Sequence, residues 1–248
     1  MDHLQLQFRG SRYRVDLQAG QECSSIFGDP AAEPRAWHCP PVSIAPVRQG
    51  DWVGKVSHGA PINFFDLHCN PHGNGTHTEG LGHISPEHQP LPRPFPKAMG
   101  ILELLRLAPE RNARGEQVLR HSAWPRLDHR ELDAVALAVE GLPFPFDFSG
   151  QNAPFLEPQI MASLAEANIS HFITNLPSVD PEEDGGALAA HRAFWSYPQT
   201  PRYQATITEL AYFPPDLTPG NYFYHLQTPA FANDAVPCRL TLYPLELV

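Results

Sequence analysis

Apolar and polar residues in the middle of the chain follow a helical spacing at two places. Residues 128–139 open with an acidic turn and then carry apolar side chains at near-helical spacing, which predicts a short amphipathic helix. Residues 154–167 carry apolar side chains on one side and predict a second helix. Residues 169–174 follow as a run of strand-forming residues, so this helix is predicted to lead into a buried strand.

The C-terminal part alternates between apolar and polar side chains, as strands do. Residues 205–213, 221–227 and 240–247 are predicted strands, and residues 13–17 predict another near the start of the chain. A mixed middle and a β-rich end together predict an α/β protein built on a largely closed central sheet.

Proline changes this picture by limiting the regular structure. The chain contains 28 prolines, and proline removes a backbone donor and breaks helix interiors, so loops should carry much of the fold. The densest cluster covers residues 86–96 and predicts a rigid loop.

Length and charge narrow the class of protein. A chain of 248 residues can bury one large core, so we expect a single domain over residues 1–248, although residues 1–50 have no assigned role. The net charge of -10, with 27 acidic against 17 basic residues, disfavours nucleic acid and anionic membranes and favours a small-molecule substrate. No apolar run approaches the roughly 18 residues of a membrane helix, and the start lacks a secretory pattern, so we expect a cytoplasmic protein.

Residues 70–83 are the chemically richest segment of the chain. They contain three histidines, one glutamate and four glycines, a composition typical of a metal site for zinc or manganese. If residues 76–80 are extended, His77 and Glu79 project from the same face and can bind one ion. His83 is then a further ligand or an acid/base group. A turn at residues 73–75 would fold His72 back toward His77.

Aromatic residues and cysteines add two open points. Trp52, Phe64 and Phe65 are candidates for an apolar substrate pocket, or they pack in the core. The cysteines lack Cys-x-x-Cys spacing and are expected to be reduced thiols, with Cys69 a minor ligand candidate.

The motif resembles that of a known family. The sequence GTHTE at residues 75–79, followed by His83, resembles the HxGTHxDxPxH signature of the cyclase family, which includes bacterial kynurenine formamidases and isatin hydrolases. The resemblance spans about residues 50–248. Further segments that are similar to the family are residues 176–180, His191, Glu209, residues 220–222 and residues 234–239.

This resemblance implies a fold and a reaction. It implies a swivelling β/β/α fold, a homodimer or higher homo-oligomer, and a metal-dependent hydrolase of a small amide, cyclic amide or lactone, similar to an arylformamidase. The implied metal ligands are His77, Glu79, His191 and Glu209, with His72 as an additional ligand. They would hold one or two divalent ions, zinc before manganese. Metal-bound water would attack the carbonyl while His83 shuttles the proton to the leaving nitrogen.

The chain departs from the family signature at three positions, one of which is Leu81, where the signature has proline. The first histidine of the signature falls at Gly73 here, and His72 is displaced from it by one residue. The aspartate of the signature is Glu79, which is one methylene longer.

Other interpretations stay open. A catalytically silent relative could bind a small molecule without converting it, and a structural subunit of an oligomer is a further alternative. A serine or cysteine hydrolase is disfavoured because the chain has no Gly-x-Ser-x-Gly motif. Taken without the family, His191 is a core or surface histidine. Asp180 either binds substrate or caps the turn that follows it.

Overall fold

The computed structural model describes residues 3–87 and 89–248, and strands dominate their secondary structure. The strands are β1 (His3–Phe8), β2 (Ser11–Asp16), β3 (Gln21–Glu22), β4 (Ser43–Pro46), β5 (Arg48–Gln49), β6 (Trp52–Val53), β7 (Phe65–His68), β8 (His77–Glu79), β9 (Met99–Leu107), β10 (Glu110–Arg111), β11 (Gln117–Leu119), β12 (Ala134–Val139), β13 (Phe155–Leu156), β14 (His171–Thr174), β15 (Thr206–Glu209), β16 (Gly220–Gln227), β17 (Ala235–Pro237), β18 (Arg239–Pro244) and β19 (Glu246–Leu247). The α-helices are α1 (Pro158–Glu166) and α2 (Ala189–Trp195). Short 3-10 turns occur at Val56–His58, Leu81–His83 and His121–Ala123.

The largest sheet holds nine strands in the order β17-β8-β15-β14-β12-β9-β16-β18-β3. Strands β9, β12, β14 and β15 run parallel to one another, and all other neighbours pair antiparallel. Only Cys238 separates β17 from β18 in the chain, yet these two strands lie near opposite ends of the order. The sheet must therefore curl until its ends nearly meet, which confirms the predicted α/β fold with a largely closed central sheet.

Strand β12 shows how the core is divided between the two faces of this sheet. Its alanines pack in the buried cluster inside the curl, whereas Val135, Leu137 and Val139 pack in the cluster outside it, together with side chains of α1 and α2. Small side chains suit the narrow interior, and larger ones fill the space under the helices. The resulting burial of apolar surface on both faces is the main force that holds the sheet and helices together.

The helix predicted over residues 128–139 is wrong. Residues 134–139 form β12, and the residues before them form turns and loop. Every residue of β12 is buried, because β9 and β14 flank the strand and both of its faces are covered. A strand covered on both faces carries an uninterrupted apolar run, and periodicity cannot distinguish such a run from a helix.

The other predicted elements are confirmed with somewhat different bounds. The helix predicted over residues 154–167 is α1, preceded by the short strand β13. The predicted strands correspond to β2, β14, β15 and β16, and the last one is divided into β18 and β19. Residues 86–87 and 89–96 form neither helix nor strand, as the prolines predict. Among the helices of the described residues, none is both long and apolar enough to cross a membrane.

Residues 43–68 form an arm made of two small sheets, β4 with β7 and β5 with β6. Ile44 lies directly opposite Leu67 in this arm, and these side chains are 53% and 56% exposed. The arm thus presents large apolar side chains to solvent.

Candidate metal centre

The centre of the site lies on two neighbouring strands. Strand β8 is extended as predicted, and it pairs antiparallel with β15 so that His77 lies opposite Glu209 and Glu79 lies opposite Ile207. Residues that face one another in such a pair project from the same side of the sheet. His77, Glu79 and Glu209 therefore share one face, and all three side chains are buried.

The residues before β8 explain why the strand begins at His77. Gly75 has φ 110°, and a Cβ at this position would overlap Ser25 Oγ. Thr76 N donates to Ser25 Oγ (2.7 Å), and Ser25 N donates to Thr76 Oγ1 (2.8 Å). Thr76 Oγ1 also donates to the backbone oxygen of Leu210, which follows β15 (2.7 Å). The Gly-Thr pair thus anchors the start of β8 beside the end of β15.

Helix α2 supplies His191 to the same face. His191 Nε2 lies 3.0 Å from Glu79 Oε1 and 3.7 Å from Glu209 Oε1. Its Nδ1 lies 2.6 Å from Asp180 Oδ2, and Asp180 also accepts the backbone N–H groups of Ala190 and His191. Asp180 therefore caps the first turn of α2, and not the turn directly after it, and it fixes the ring of His191.

A turn folds His72 back toward His77, but it lies at residues 70–74 and includes His72, and not at residues 73–75 as predicted. The backbone N–H of His72 donates to Asn70 Oδ1 (3.0 Å), and the two imidazole rings are 5.2 Å apart. His72 Nδ1 lies 3.1 Å from Glu79 Oε2, and its Nε2 lies 3.0 Å from Asp234 Oδ2. His72 thus stands between two carboxylates.

His83 lies at the solvent-facing edge of the cluster. It ends the 3-10 turn Leu81–His83, and its side chain is 30% exposed. Its Nδ1 is 3.7 Å from Glu79 Oε2 and 3.8 Å from Asp234 Oδ2. With His72 and Asp234 it forms the accessible side of the site, whereas His77, Glu79 and His191 form the buried side.

The buried side of the cluster contains polar atoms that lack hydrogen bonds. His77 Nδ1 lies 3.0 Å from the backbone oxygen of Gly75, which leaves Nε2 facing Glu209 Oε2 at 3.6 Å. Over residues 3–87 and 89–248, neither His77 Nε2 nor Glu79 Oε2 has a hydrogen-bond partner. A buried polar atom without a partner is costly, and a cation between these atoms would satisfy both. Imidazole nitrogen and carboxylate oxygen are ligands that zinc and manganese accept, so the residues fit such an ion.

The electrostatics of the cluster favour positive charge. Its carboxylates are Glu79, Asp180, Glu209 and Asp234. Burial acts to lower the pKa of His72, but the carboxylates of Asp234 and Glu79 outweigh burial and raise it to about 10. For His191, burial also lowers the pKa, yet Asp180, Glu79 and Glu209 raise it well above the usual value. Carboxylates held this close together require protons or a metal ion among them.

The structure brings together most, but not all, of the predicted site residues. His72, His77, Glu79, His83, His191 and Glu209 meet in one cluster. Trp52, Phe64 and Phe65 lie on the arm, where Phe64 and Phe65 are 50% and 40% exposed and Trp52 contacts Phe64. No hydrogen bond, ion pair or ring contact among the described residues joins these aromatic side chains to the cluster. Cys69 belongs to none of the potential metal-binding groups in that part of the chain.

Asp234 is the site residue that sequence reasoning missed. It belongs to a potential metal-binding group with His72 and His83, and it directly precedes β17. Nothing in the local sequence distinguishes it from a loop aspartate. Only the pairing of β17 with β8 brings it to the site.

The fold of this chain is similar to those of solved structures described as metal-dependent hydrolases. A predicted metal-dependent hydrolase from Bacillus stearothermophilus is 16% identical, with a TM-score of 0.62 over 90% of this chain and 97% of that one. A potential metal-dependent hydrolase with cyclase activity is also 16% identical, with a TM-score of 0.62 over 90% and 96%. Isatin hydrolase A from Ralstonia solanacearum is 12% identical, with a TM-score of 0.60 over 92% and 91%.

These likenesses confirm, at the level of the fold, the resemblance to the cyclase family and the swivelling β/β/α architecture that it implied. No protein-family model matches the sequence, and no curated protein matches it. Identities this low show the fold alone, so the activity has to be argued from the site.

Proposed function

We propose that the protein is a metal-dependent hydrolase of a small amide, cyclic amide or lactone. The observation that carries this proposal is the pair of buried atoms without hydrogen bonds, His77 Nε2 and Glu79 Oε2. Both face a space that His72, His191 and Glu209 also border. Buried polar atoms without partners do not stabilise a fold. A divalent ion would accept the nitrogen and oxygen atoms of this site as ligands.

His77, Glu79, His191 and Glu209 would hold the ion, with His72 as the additional ligand. The donor set suits zinc first and manganese second, and the proposal covers either one or two ions. When bound, such an ion lowers the pKa of a water molecule and polarises a carbonyl group. Outer contacts from Asp180 to His191 and from Gly75 to His77 orient the Nε2 atoms of these rings toward Glu79 and Glu209.

His83 is the residue that moves the proton in this proposal. It is more exposed than His77 and His191, and its Nδ1 lies near both Glu79 and Asp234 without a close contact to either. A histidine in this position can take a proton from the attacking water and donate it to the leaving nitrogen or oxygen. The buried histidines are tied by their outer contacts and cannot turn toward a substrate.

The substrate is proposed to be small and uncharged at the reacting group. The accessible side of the cluster is bordered by His72, His83 and Asp234, and Glu79 is buried behind them, so a reacting group has to be small enough to pass these side chains. Two kinds of compound fit this description. One is isatin-like cyclic amides, and the other is N-formyl aromatic amines, which are the substrates of an arylformamidase. A catalytically silent binding protein is the alternative, and the meeting of His72, His77, Glu79, His191 and Glu209 in one cluster disfavours it.

We also propose that the protein forms a homodimer or a higher homo-oligomer through the arm. An isolated two-stranded sheet is marginally stable in water, and monomeric proteins rarely expose apolar side chains in one contiguous group. The arm exposes four large apolar side chains to solvent, those of Ile44, Phe64, Phe65 and Leu67. A second copy of the chain would cover them.

The test combines metal analysis with a substrate panel. Protein purified without chelator is analysed for moles of each metal per chain and then assayed with isatin, N-formylkynurenine and a simple lactone. We expect near-stoichiometric zinc or manganese and metal-dependent hydrolysis of at least one compound. Protein that neither contains nor takes up zinc or manganese would overturn the proposal. Metal-loaded protein that hydrolyses none of the panel would favour the silent binding protein.

A further inference from the structure

We propose that Asp234 is the positioning residue of His72. This inference rests on the proposed function, because it assigns to Asp234 the task of holding His72 Nδ1 toward the ion that Glu79 also binds. In this role Asp234 does not touch the reacting atoms. It acts through the ring of His72.

The first argument is a regularity among the three histidines proposed as ligands, His72, His77 and His191. Each of them has one ring nitrogen next to an outer oxygen and the other next to a glutamate of the site. His77 Nδ1 contacts the backbone oxygen of Gly75 at 3.0 Å, and His191 Nδ1 contacts Asp180 at 2.6 Å. For His72 the outer oxygen is that of Asp234, at 3.0 Å from Nε2. Metal-binding histidines commonly have such an outer partner, which fixes the ring and its tautomer.

The second argument concerns the inward nitrogen of His72. Its Nδ1 is 3.1 Å from Glu79 Oε2, yet Glu79 Oε2 has no hydrogen-bond partner among the described residues. The contact with Asp234, in contrast, has the geometry of a hydrogen bond. With the Nε2 proton donated to Asp234, the lone pair of Nδ1 faces a carboxylate oxygen. Two such acceptors remain this close only if a proton or a metal ion lies between them, and a metal ion would bind both atoms.

The third argument explains why this histidine needs a carboxylate partner. A side chain cannot replace Gly73, because a Cβ there would overlap Cys39 Sγ. The ligand is therefore carried by the preceding residue, His72, whose side chain is 22% exposed, whereas those of His77 and His191 are almost completely buried. Packing holds a partly exposed ring less firmly than a buried one, so a charged hydrogen-bond acceptor helps to orient it.

Asp234 is itself well placed for this task. Its backbone oxygen accepts a hydrogen bond from Gly80 N (2.9 Å), and the next residue, Ala235, lies opposite Glu79 in the pairing of β17 with β8. The backbone that carries Asp234 is thus attached to the backbone that carries Glu79. Both carboxylates that contact His72 are held in a fixed relation to each other.

The experiment measures zinc affinity by competition with a chromophoric chelator in full-length variants. We expect Asp234→Ala to weaken zinc binding by about 10–100-fold, the usual effect of losing an outer partner. Asp234→Asn should recover part of this loss, because its amide oxygen can still accept the Nε2 proton. The visible spectrum of the cobalt-substituted protein should change in Asp234→Ala and resemble the wild type more closely in Asp234→Asn.

A double-mutant cycle separates positioning from general structural damage. If Asp234 acts through His72, Asp234→Ala should cost no additional affinity in a His72→Ala background. Asp133→Ala is the matched control, because Asp133 is similarly exposed (22% against 19%) and lies beside β12, which is three strands from β8. This control should bind zinc as the wild type does.

The outcomes distinguish this inference from the proposed function. Additive losses in the cycle, or wild-type affinity in Asp234→Ala while His77→Ala loses zinc, would overturn the role of Asp234 and leave the metal site intact. Wild-type protein that binds no zinc or cobalt would overturn both.

Discussion

His77 lies directly opposite Glu209 where β8 pairs with β15, and 3.6 Å separates His77 Nε2 from Glu209 Oε2. These residues come from distant parts of the sequence, and the antiparallel register alone brings them to one face of the sheet. The distance between the two atoms is longer than a hydrogen bond and suits two ligands of the same ion.

The first prediction tests this pair. His77→Ala and Glu209→Gln should each weaken zinc binding by more than the roughly 100-fold effect of losing an outer partner, because each change removes a direct ligand. Chelator competition measures the affinity. His121→Ala, in an exposed 3-10 turn, is the control and should bind zinc normally. Retention of full affinity in both site variants would place the metal site elsewhere.

The second prediction concerns His83. His83→Ala should lower turnover by about 10²–10⁴-fold, the usual contribution of general acid-base catalysis, while the zinc content per chain stays unchanged. Turnover is measured on whichever panel compound the wild type hydrolyses, and zinc is measured on the same sample. Loss of zinc in this variant would instead make His83 a ligand.

The histidine segment was predictable from the sequence, whereas its partners were predictable only in part. Glycine at residue 75 and alternation from Thr76 to Glu79 are local properties, so the extended strand and its two ligands could be derived from spacing. His191 and Glu209 could be assigned only through the family resemblance, because a histidine in an apolar helix and a glutamate in an apolar strand have no local mark of function.

Two features could not be derived because they depend on tertiary structure. The run Ala134–Val139 was predicted as helix, and only its position between β9 and β14 explains why a fully apolar segment is a strand. Asp234 was missed because its partner, His72, is far away in the sequence and meets it through the pairing of β17 with β8.

The third prediction concerns thermal stability. Removal of metal with a chelator should lower the melting temperature, because a ligand that binds only the folded state stabilises it. At a free zinc concentration of 100 times Kd this stabilisation is about 2.7 kcal/mol. For a chain of this length, roughly 2–4 °C per kcal/mol gives a decrease of about 5–10 °C. Differential scanning calorimetry measures it. His77→Ala is the control, and its melting temperature should no longer respond to zinc.

The fourth prediction tests the arm as an interface. The double substitution of Ile44→Asp and Leu67→Asp should shift the protein from dimer to monomer. A dimer of this variant would have to bury two carboxylates per chain at an interface that apolar side chains form in the wild type. Light scattering coupled to size-exclusion chromatography gives the mass. Leu247→Asp changes a 71% exposed leucine outside the arm and should leave the mass unchanged. A wild-type protein that is monomeric at all concentrations would contradict the proposal.

The fifth prediction concerns His171, a buried histidine outside the metal cluster. Its Nδ1 contacts Thr206 Oγ1 at 2.6 Å, and its Nε2 lies 3.0 Å and 3.1 Å from the backbone oxygens of Pro96 and Lys97. Burial lowers the pKa of His171 to about 4, although these backbone oxygens act to raise it. In the unfolded chain a histidine has a pKa of about 6.5. The folded protein therefore favours the neutral form of the His171 ring over the protonated form.

Between pH 6.5 and 4 the unfolded chain binds more protons at this residue than the folded protein, so stability must fall as the pH decreases. From pH 7 to pH 5 we expect His171 to account for a loss of about 2 kcal/mol in the free energy of unfolding. Urea unfolding at both pH values measures this loss in the wild type and in His171→Asn, which keeps polar atoms near Thr206. His225→Asn on β16 is the matched control and should retain the pH dependence of the wild type. If the two substitutions change that dependence equally, burial of His171 is not its cause.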